Sequence, residues 1–170
     1  MNVLAAGIAF VVCTMFGFMS AYRLQNRTRG IHAIIADIKR VQSRMEYSSA
    51  SIGRILSEMD TSPICKLWSC MGKELSEGAC VLDGWRSSYE HVRSELPLVC
   101  ALHAEDTAAL EELFSELGRS DIESQRQYFA LFYSRMEAIY QTAENDYKNR
   151  GRVFRGIGAL GGVAVAILLI

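Results

Sequence analysis

The chain has 170 residues, 50% of them hydrophobic, and a formal net charge of −1 at pH 7. This length suits one domain with one core, and the near-neutral charge argues against the broad basic field of a nucleic-acid-binding protein. The charges are unevenly placed, because residues 1–22 and 156–170 contain no Lys, Arg, Asp or Glu. All charged side chains therefore lie between Arg23 and Arg155.

The first apolar segment covers residues 1–22, which matches the ~20 apolar residues that span a bilayer as a helix. A cleaved signal peptide is the alternative, but such a peptide has a basic region before its apolar core. Here the basic residues Arg23, Arg27 and Arg29 follow the segment instead. The sequence therefore predicts an uncleaved transmembrane anchor at residues 1–22.

The second apolar segment, residues 156–170, is short, because a helix of this length covers only ~22 Å of a ~30 Å hydrocarbon core. Arg152 and Arg155 can extend their side chains toward the headgroups, so we predict an anchor over residues 153–170. The alternative is a re-entrant or interfacial helix. Basic residues flank both anchors on their inner sides, which predicts a cytoplasmic central domain at residues 23–152.

The second anchor contains several glycines, and residues 156–161 match the pattern G-x-G-x-x-G. A dinucleotide-binding reading is excluded, because that motif needs a following βαβ unit and only residues 162–170 remain. Gly158 and Gly162 instead form a small-xxx-small pair, which predicts close packing against another membrane helix. The alternative is glycine with no packing role.

The middle of the chain begins with a helical pattern, because apolar residues recur at steps of three and four. They are Ile31, Ile34, Ile35, Ile38, Val41 and Met45. A serine-rich break at residues 48–51 precedes a second apolar stretch from Ile52, which either continues this helix or folds back on it.

Further helices follow. Ser62 and Pro63 predict the cap and the first residue of a helix that Gly78 closes. Helical patterns continue over residues 79–94 and 105–117. The five cysteines, at positions 13, 65, 70, 80 and 100, have no zinc-type spacing and are predicted to be buried, reduced thiols.

The last helix begins at a predicted capping box, in which Ser120 is the cap and Glu123 reaches back. Its apolar stripe continues through Phe129 and Met136, and the helix is predicted to run unbroken into the second anchor. The predicted fold is all-α: a bundle of about five helices flanked by N- and C-terminal transmembrane helices.

No arrangement of residues predicts catalysis. His91 and Cys100 lack an orienting acid at a recognised spacing. We therefore predict that the chain is not an enzyme and has no catalytic, cofactor-binding or metal-binding residues.

The segment from Glu105 to Glu123 is acidic, with a net charge of −6. Its central carboxylates, Glu111, Glu112 and Glu116, are candidates for a surface that docks a basic partner. The alternative is a solvated acidic surface that keeps the domain soluble.

Residues 113–125, LFSELGRSDIESQ, resemble a signature of the stage III sporulation protein AB family. The matching positions are Phe114, Leu117, Gly118, Asp121, Ser124 and Gln125. Trp85, the pair Tyr47 and Ile52, and the glycine-rich residues 157–162 also fit the family pattern.

The resemblance implies a membrane platform subunit of a secretion-like channel between mother cell and forespore, related to the platform proteins of type II secretion and type IV pili. It implies coupling to a cytoplasmic ATPase similar to stage III sporulation protein AA. Expected partners are membrane lipid, that ATPase, other channel subunits and further copies of this chain, without nucleic acid. The expected location is the mother-cell membrane around the forespore. A generic membrane-anchored helical scaffold, unrelated to secretion, is the alternative.

Overall fold

A computed structural model describes residues 2–48, 50–117 and 122–169. Throughout these ranges the regular secondary structure is helical, which confirms the prediction of an all-α protein. The helices are α1 (Asn2–Tyr47), α2 (Ile52–Ser57), α3 (Cys65–Ser76), α4 (Val81–Val92), α5 (Pro97–Cys100), α6 (Ala104–Glu116) and α7 (Ile122–Leu169). The described part thus has more helical segments than the predicted five or so. The stretch from Ile52 does not continue α1 but forms the separate helix α2, and the short helix α5 was not predicted.

The chain divides into two compact units. The terminal unit comprises Met1–Thr28 and Thr142–Ile170, and the central unit comprises Arg29–Gln141. These boundaries differ from the predicted anchor ends at residues 22 and 153. Within the terminal unit the Thr28 hydroxyl donates to the Ala143 carbonyl at 3.3 Å, so residues beyond the predicted anchors also pack there.

The core of the central unit lies under the predicted apolar stripe of α1. Ile31, Ile34 and Ile38 are fully buried, and burying one such side chain stabilises the fold by about 1.5–3 kcal/mol. The same core contains large side chains from every longer helix of the unit: Trp68, Trp85, Leu110, Phe114, Phe129, Phe132 and Met136. The predicted stripes of α6 and α7 are therefore confirmed at these positions.

Glycines allow two close helix contacts in the central unit. A Cβ atom at Gly72 in α3 would lie 2.7 Å from the carbonyl oxygen of Gly53 in α2. A Cβ atom at Gly30 in α1 would lie 2.6 Å from the carbonyl oxygen of Leu98 in α5. Both distances are too short for a side chain, so these glycines set how closely the helices approach.

The start of α3 differs from the prediction. The helix begins at Cys65, whereas Pro63 was expected as its first residue. The Ser62 hydroxyl accepts a hydrogen bond from the Ile64 N–H at 3.1 Å and donates to the buried carboxylate of Asp37. This local turn holds residues 62–64 outside the helix, so the predicted start is wrong by two residues.

The end of α3 is the predicted one. Gly78 has a φ of 101°, and its N–H donates to the Leu75 carbonyl at 3.2 Å. The Ala79 N–H donates to the Glu74 carbonyl at 3.1 Å. These two bonds form a Schellman motif, which favours glycine at the left-handed position.

The prediction of an unbroken last helix is confirmed, because α7 runs for 48 residues from Ile122 to Leu169. The predicted capping box of Ser120 and Glu123 lies outside the residues that the structure describes. In the part that is described, no helix contains a stretch long and apolar enough to span a membrane.

Candidate functional site

The predicted acidic surface lies on α6. Asp106, fully buried in the first turn, accepts a hydrogen bond from the backbone N–H of His103 at 2.8 Å. This bond caps the helix, while Leu110 and Leu113 bury its opposite side. The carboxylates of Glu111, Glu112 and Glu116 are therefore displayed by a helix whose start and inner face are both fixed.

These carboxylates have partners within the central unit. Glu111 accepts two hydrogen bonds from Arg86 of α4, at 2.6 and 3.2 Å, and Glu112 pairs with Arg135 of α7. The hydrogen bond and the charge of Glu111 both raise the pKa of Arg86. Glu111 and Glu112 thus connect α6 to the two helices beside it.

Glu116 contacts Tyr128 of α7. The negative charge of Glu116, followed by desolvation and a hydrogen bond to the same carboxylate, raises the pKa of Tyr128. The side chains of Glu111 and Glu112 remain 36% and 52% exposed, so both still reach solvent. The docking role of the three carboxylates stays a prediction, but basic neighbours offset part of their charge.

A buried polar cluster around Asp37 was missed by the sequence analysis. Its fully buried carboxylate accepts hydrogen bonds from Trp68 Nε1 at 2.6 Å and from the hydroxyl of Ser62. The other carboxylate oxygen, Oδ1, has no hydrogen bond and lies 3.5 Å from Arg40. Arg40 also donates to the hydroxyl of Thr61 at 3.2 Å.

This cluster fixes α1 against residues 61–68. Asp37 bonds to Ser62 and Trp68, and Arg40 bonds to Thr61, so three hydrogen bonds join α1 to this segment. These bonds satisfy buried polar groups and hold the two segments together. One signal in the sequence could have revealed it. Asp37 lies three residues after Ile34 and four before Val41, which places a carboxylate on the apolar face of α1.

An open apolar groove of about 550 Å³ lies where α2 meets the end of α3 and the start of α4. Its lining includes Ile52, Gly53, Leu75, Ala79, Val81 and Leu117. Ile52, Leu75 and Val81 are only half-buried, so the groove presents apolar surface to solvent.

The cysteines are more exposed than predicted. All four described cysteines are free, but Cys80 and Cys100 are exposed, while Cys65 and Cys70 are half-buried. The prediction of buried thiols is therefore wrong. Cys80 caps α4, since its Sγ accepts from the Asp83 N–H at 3.4 Å. Among the described residues, no His, Cys, Asp and Glu side chains are grouped to hold a metal ion.

A smaller groove of about 280 Å³ lies between α1 and α7 within the central unit. Met45 and Phe129 contribute its apolar lining, and Glu46 and Arg126 face each other at 3.5 Å. Nearby, the Tyr133 hydroxyl donates to Gln42 Oε1 at 2.9 Å. Burial, and then the charge of Glu46, raises the pKa of Tyr133 above its usual range.

The terminal unit shows an unusual surface. It exposes many large apolar side chains: Ile8, Phe10, Val11, Val12, Met15, Phe16, Phe18, Met19, Tyr22, Val153, Phe154, Ile157, Leu160 and Val163. Arg27, counted among the flanking basic residues, is only 3% exposed and interacts within the chain. The surroundings of Gly158 and Gly162 lie outside what the structure describes, so their packing role stays a prediction.

Comparison with known proteins supports the resemblance. The chain is similar to Stage III sporulation protein AB of Bacillus subtilis (strain 168), with 21% identity over 172 residues and 99% of each chain covered. No solved structure matches it. The sequence model of the Stage III sporulation protein AB family matches residues 2–170. Because this match covers nearly the whole length, the chain belongs to the stage III sporulation protein AB family.

Proposed function

We propose that this protein is a non-catalytic membrane platform subunit of the sporulation secretion-like channel between mother cell and forespore, and that it couples to a cytoplasmic ATPase. Family membership supports a role in sporulation. The platform role and the mother-cell membrane location are expectations that the family resemblance implies. The terminal unit supplies the physical support for membrane attachment.

The distribution of exposed apolar side chains carries the membrane part of the proposal. In the described residues of the central unit, Tyr47 and Leu131 are the exposed large hydrophobic side chains, and all others lie in the terminal unit. Exposed apolar surface costs roughly 25 cal/mol per Å² in water. Lipid tails would remove this cost, which favours insertion of residues 1–22 and 153–170 into a bilayer.

A charge-insertion experiment tests membrane attachment. The double change Val12→Arg and Val163→Arg places one arginine in each proposed anchor and should release the full chain from membranes, because each arginine at a bilayer centre costs about 2.5–3.5 kcal/mol. The matched control is Gln127→Arg with Leu131→Arg, which adds the same charge at exposed positions of the central unit. We expect carbonate extraction to release the first variant and to leave the control bound. Release of neither variant, or of both, contradicts the proposal.

Topology is tested with a reporter fused after Ile170. The basic residues between the anchors predict that this end lies outside the cytoplasm. An export-dependent reporter should therefore be active there. Activity of a cytoplasm-dependent reporter at the same position would contradict the topology.

ATPase coupling is tested through the acidic surface of α6. The triple change Glu111→Gln, Glu112→Gln and Glu116→Gln should weaken binding to the purified AA-type ATPase, most strongly at low salt. A matched control changes Glu58, Glu77 and Glu137, which are exposed elsewhere on the central unit, to Gln. If the triple variant and the wild type bind the ATPase with equal affinity and equal salt dependence, this surface does not dock the ATPase.

The remaining proposed partners are other channel subunits and further copies of this chain. Gly158 and Gly162 are the proposed packing positions within the membrane. Gly158→Leu or Gly162→Leu should lower the amount of assembled complex recovered from sporulating cells, while the central unit stays folded. Normal assembly with both variants would mean that these glycines have no packing role.

A further inference from the structure

Tyr47 is the most exposed of the large hydrophobic side chains in the described residues, at 88%. It is the last residue of α1, outside the terminal unit. A tyrosine combines a large apolar ring with a polar hydroxyl, which suits a contact between protein surfaces. Its exposure in the central unit is an exception, because the other aromatic side chains of that unit are at least half-buried.

The open apolar groove is lined in part by α2, the helix that follows Tyr47 in the chain. Arg44, one helical turn before Tyr47, pairs with Glu58 at 3.0 Å, and Glu58 also pairs with Arg54 of α2 at 3.1 Å. These pairs hold the end of α1 beside α2. Because Arg54 and Ser57 line the groove, these pairs link the end of α1, which carries Tyr47, to one edge of the groove.

We propose that Tyr47 and this groove form a self-association surface, on which Tyr47 of one copy enters the groove of a second copy. In a two-fold contact both subunits use the same patch, so each patch must carry a projection and a matching hole. Tyr47 supplies the projection, and the groove between Ile52 and Val81 supplies the hole. The inference specifies the proposed contact between copies and rests on that part of the proposed function alone.

Charge favours a second copy as the occupant. The patch carries both signs on neighbouring side chains, with Arg44 and Arg54 on either side of Glu58. Under two-fold symmetry, an arginine of one copy can approach the glutamate of the other. A patch of one sign would repel its own copy, whereas this mixed patch is complementary to itself.

The expected contact is weak in dilute solution. A buried tyrosine removes roughly 150–250 Å² of its own surface from solvent and covers a comparable area of the groove, so two such contacts bury roughly 600–1,000 Å² in total. A standard stable interface buries at least about 1,200 Å² in total. The contact should therefore be populated mainly when copies are concentrated, for example on one membrane.

Disulfide trapping tests the contact, because the exposed Cys80 lines the groove. The probe is the full chain with Tyr47→Cys, Cys13→Ser and Cys100→Ser, reconstituted in phosphatidylcholine and phosphatidylglycerol vesicles and mildly oxidised. We expect a dimer band on a non-reducing gel in at least several-fold excess over the same chain with Tyr47 intact. The band should disappear when Cys80→Ser is added.

Leu131→Cys in the same background is the matched control, since Leu131 is exposed on α7, a helix that contributes none of the residues that line the groove. A dimer yield at position 131 equal to that at 47, a dimer that persists without Cys80, or monomer alone would overturn the proposal. Near-ultraviolet circular dichroism confirms that each variant is folded, and the exposed side chain of Tyr47 makes unfolding unexpected. The same trapping at high protein concentration in detergent keeps the result independent of membrane attachment and of any ATPase.

Discussion

The two units use the same long helices, α1 and α7, yet distribute apolar side chains in opposite ways. In the central unit the α1 stripe of Ile31, Ile34 and Ile38 is fully buried, whereas Lys39, Arg40 and Arg44 of the same helix are exposed. In the terminal unit Ile8, Phe16 and other large apolar side chains are exposed. The central unit therefore stabilises itself by its own packing, whereas the terminal unit presents a surface suited to an apolar environment.

The difference teaches how one helix can serve two environments. An apolar stripe of about 100° is sufficient where a helix packs on a protein core. A helix that is apolar on all sides is instead typical of complete burial or of a membrane. Charge marks the change along the chain, because no charged residue precedes Arg23 or follows Arg155.

The largest expected effect comes from removing a central aromatic. Trp85 is 1% exposed and has ring-centroid distances of 5.4 Å to both Tyr89 and Phe114. Trp85→Ala should lower the free energy of unfolding by about 3–5 kcal/mol, because it leaves a cavity. Phe16→Ala, in the terminal unit, should leave unfolding of the central unit unchanged. Denaturant unfolding of the full chain in detergent measures both, and equal effects would break the comparison between the units.

The buried carboxylate gives the next effect. Asp37→Ala leaves the donors of Ser62 and Trp68 without an acceptor, and each unsatisfied buried group costs about 1–3 kcal/mol. We expect a loss of about 3 kcal/mol in the free energy of unfolding. Asp37→Asn keeps one acceptor oxygen and should lose less. If the alanine variant is as stable as the asparagine variant, the hydrogen bonds of Asp37 do not stabilise the fold.

Glycine-to-alanine substitutions compare the packing of the two units and should have smaller effects on stability. Gly30→Ala places a methyl group 2.6 Å from the Leu98 carbonyl oxygen and should cost about 1–3 kcal/mol. Gly7→Ala meets no atom within 4 Å and should be neutral or slightly stabilising, since alanine favours a helix. Thermal melting of the two variants checks this, and a loss at Gly7 equal to that at Gly30 would contradict the packing argument.

Alkaline pH should weaken the central unit through Tyr133. Its pKa is raised in the folded state, mainly by burial, so folding favours the neutral phenol. The corresponding stability is fully present below the ordinary tyrosine pKa of about 10 and is lost as pH rises above it. Tyr133→Phe should lose the hydrogen bond to Gln42 but show a weaker decline of stability between pH 9 and pH 11. An identical decline in both proteins would assign the alkaline sensitivity to other groups.

The smallest effect is expected at the surface pair of Arg86 and Glu111. Both side chains are largely solvated, and solvent and salt screen such pairs. Glu111→Gln should therefore leave the melting temperature close to that of wild type, because it removes the negative charge but keeps one acceptor oxygen for Arg86. A loss as large as that of Gly30→Ala would show that this pair holds α4 to α6.

Local patterns predicted much of the central unit. Steps of three and four identified the buried stripe of α1, and the single residue Gly78 identified the end of α3. Both signals depend on residues within a few positions of each other, so they can be read without knowing the fold. The continuity of α7 followed from the same periodicity.

Contacts between distant residues were not predictable in this way. The net charge of −6 on the acidic segment could be counted from the sequence. Its basic partners could not, because Arg86 and Arg135 lie on helices that precede and follow the segment. Ser62 was predicted to be a helix cap from its neighbours alone. Its hydrogen-bond partner, Asp37, lies 25 positions earlier, where a local pattern could not reveal it. The short helix α5 packs closely against Gly30 of α1, a contact between distant residues that no local pattern predicts.

Asp37 also favours one alignment of α1 along the residues packed against it. An isoleucine stripe with repeated steps of three and four looks similar after a shift of one turn, about 5.4 Å, so apolar contacts alone discriminate poorly between neighbouring alignments. A one-turn shift would carry the carboxylate away from Ser62 and Trp68 and leave a buried charge without donors. Misaligned states thus become costly, and we expect Asp37 to select one alignment of α1 as well as to stabilise it.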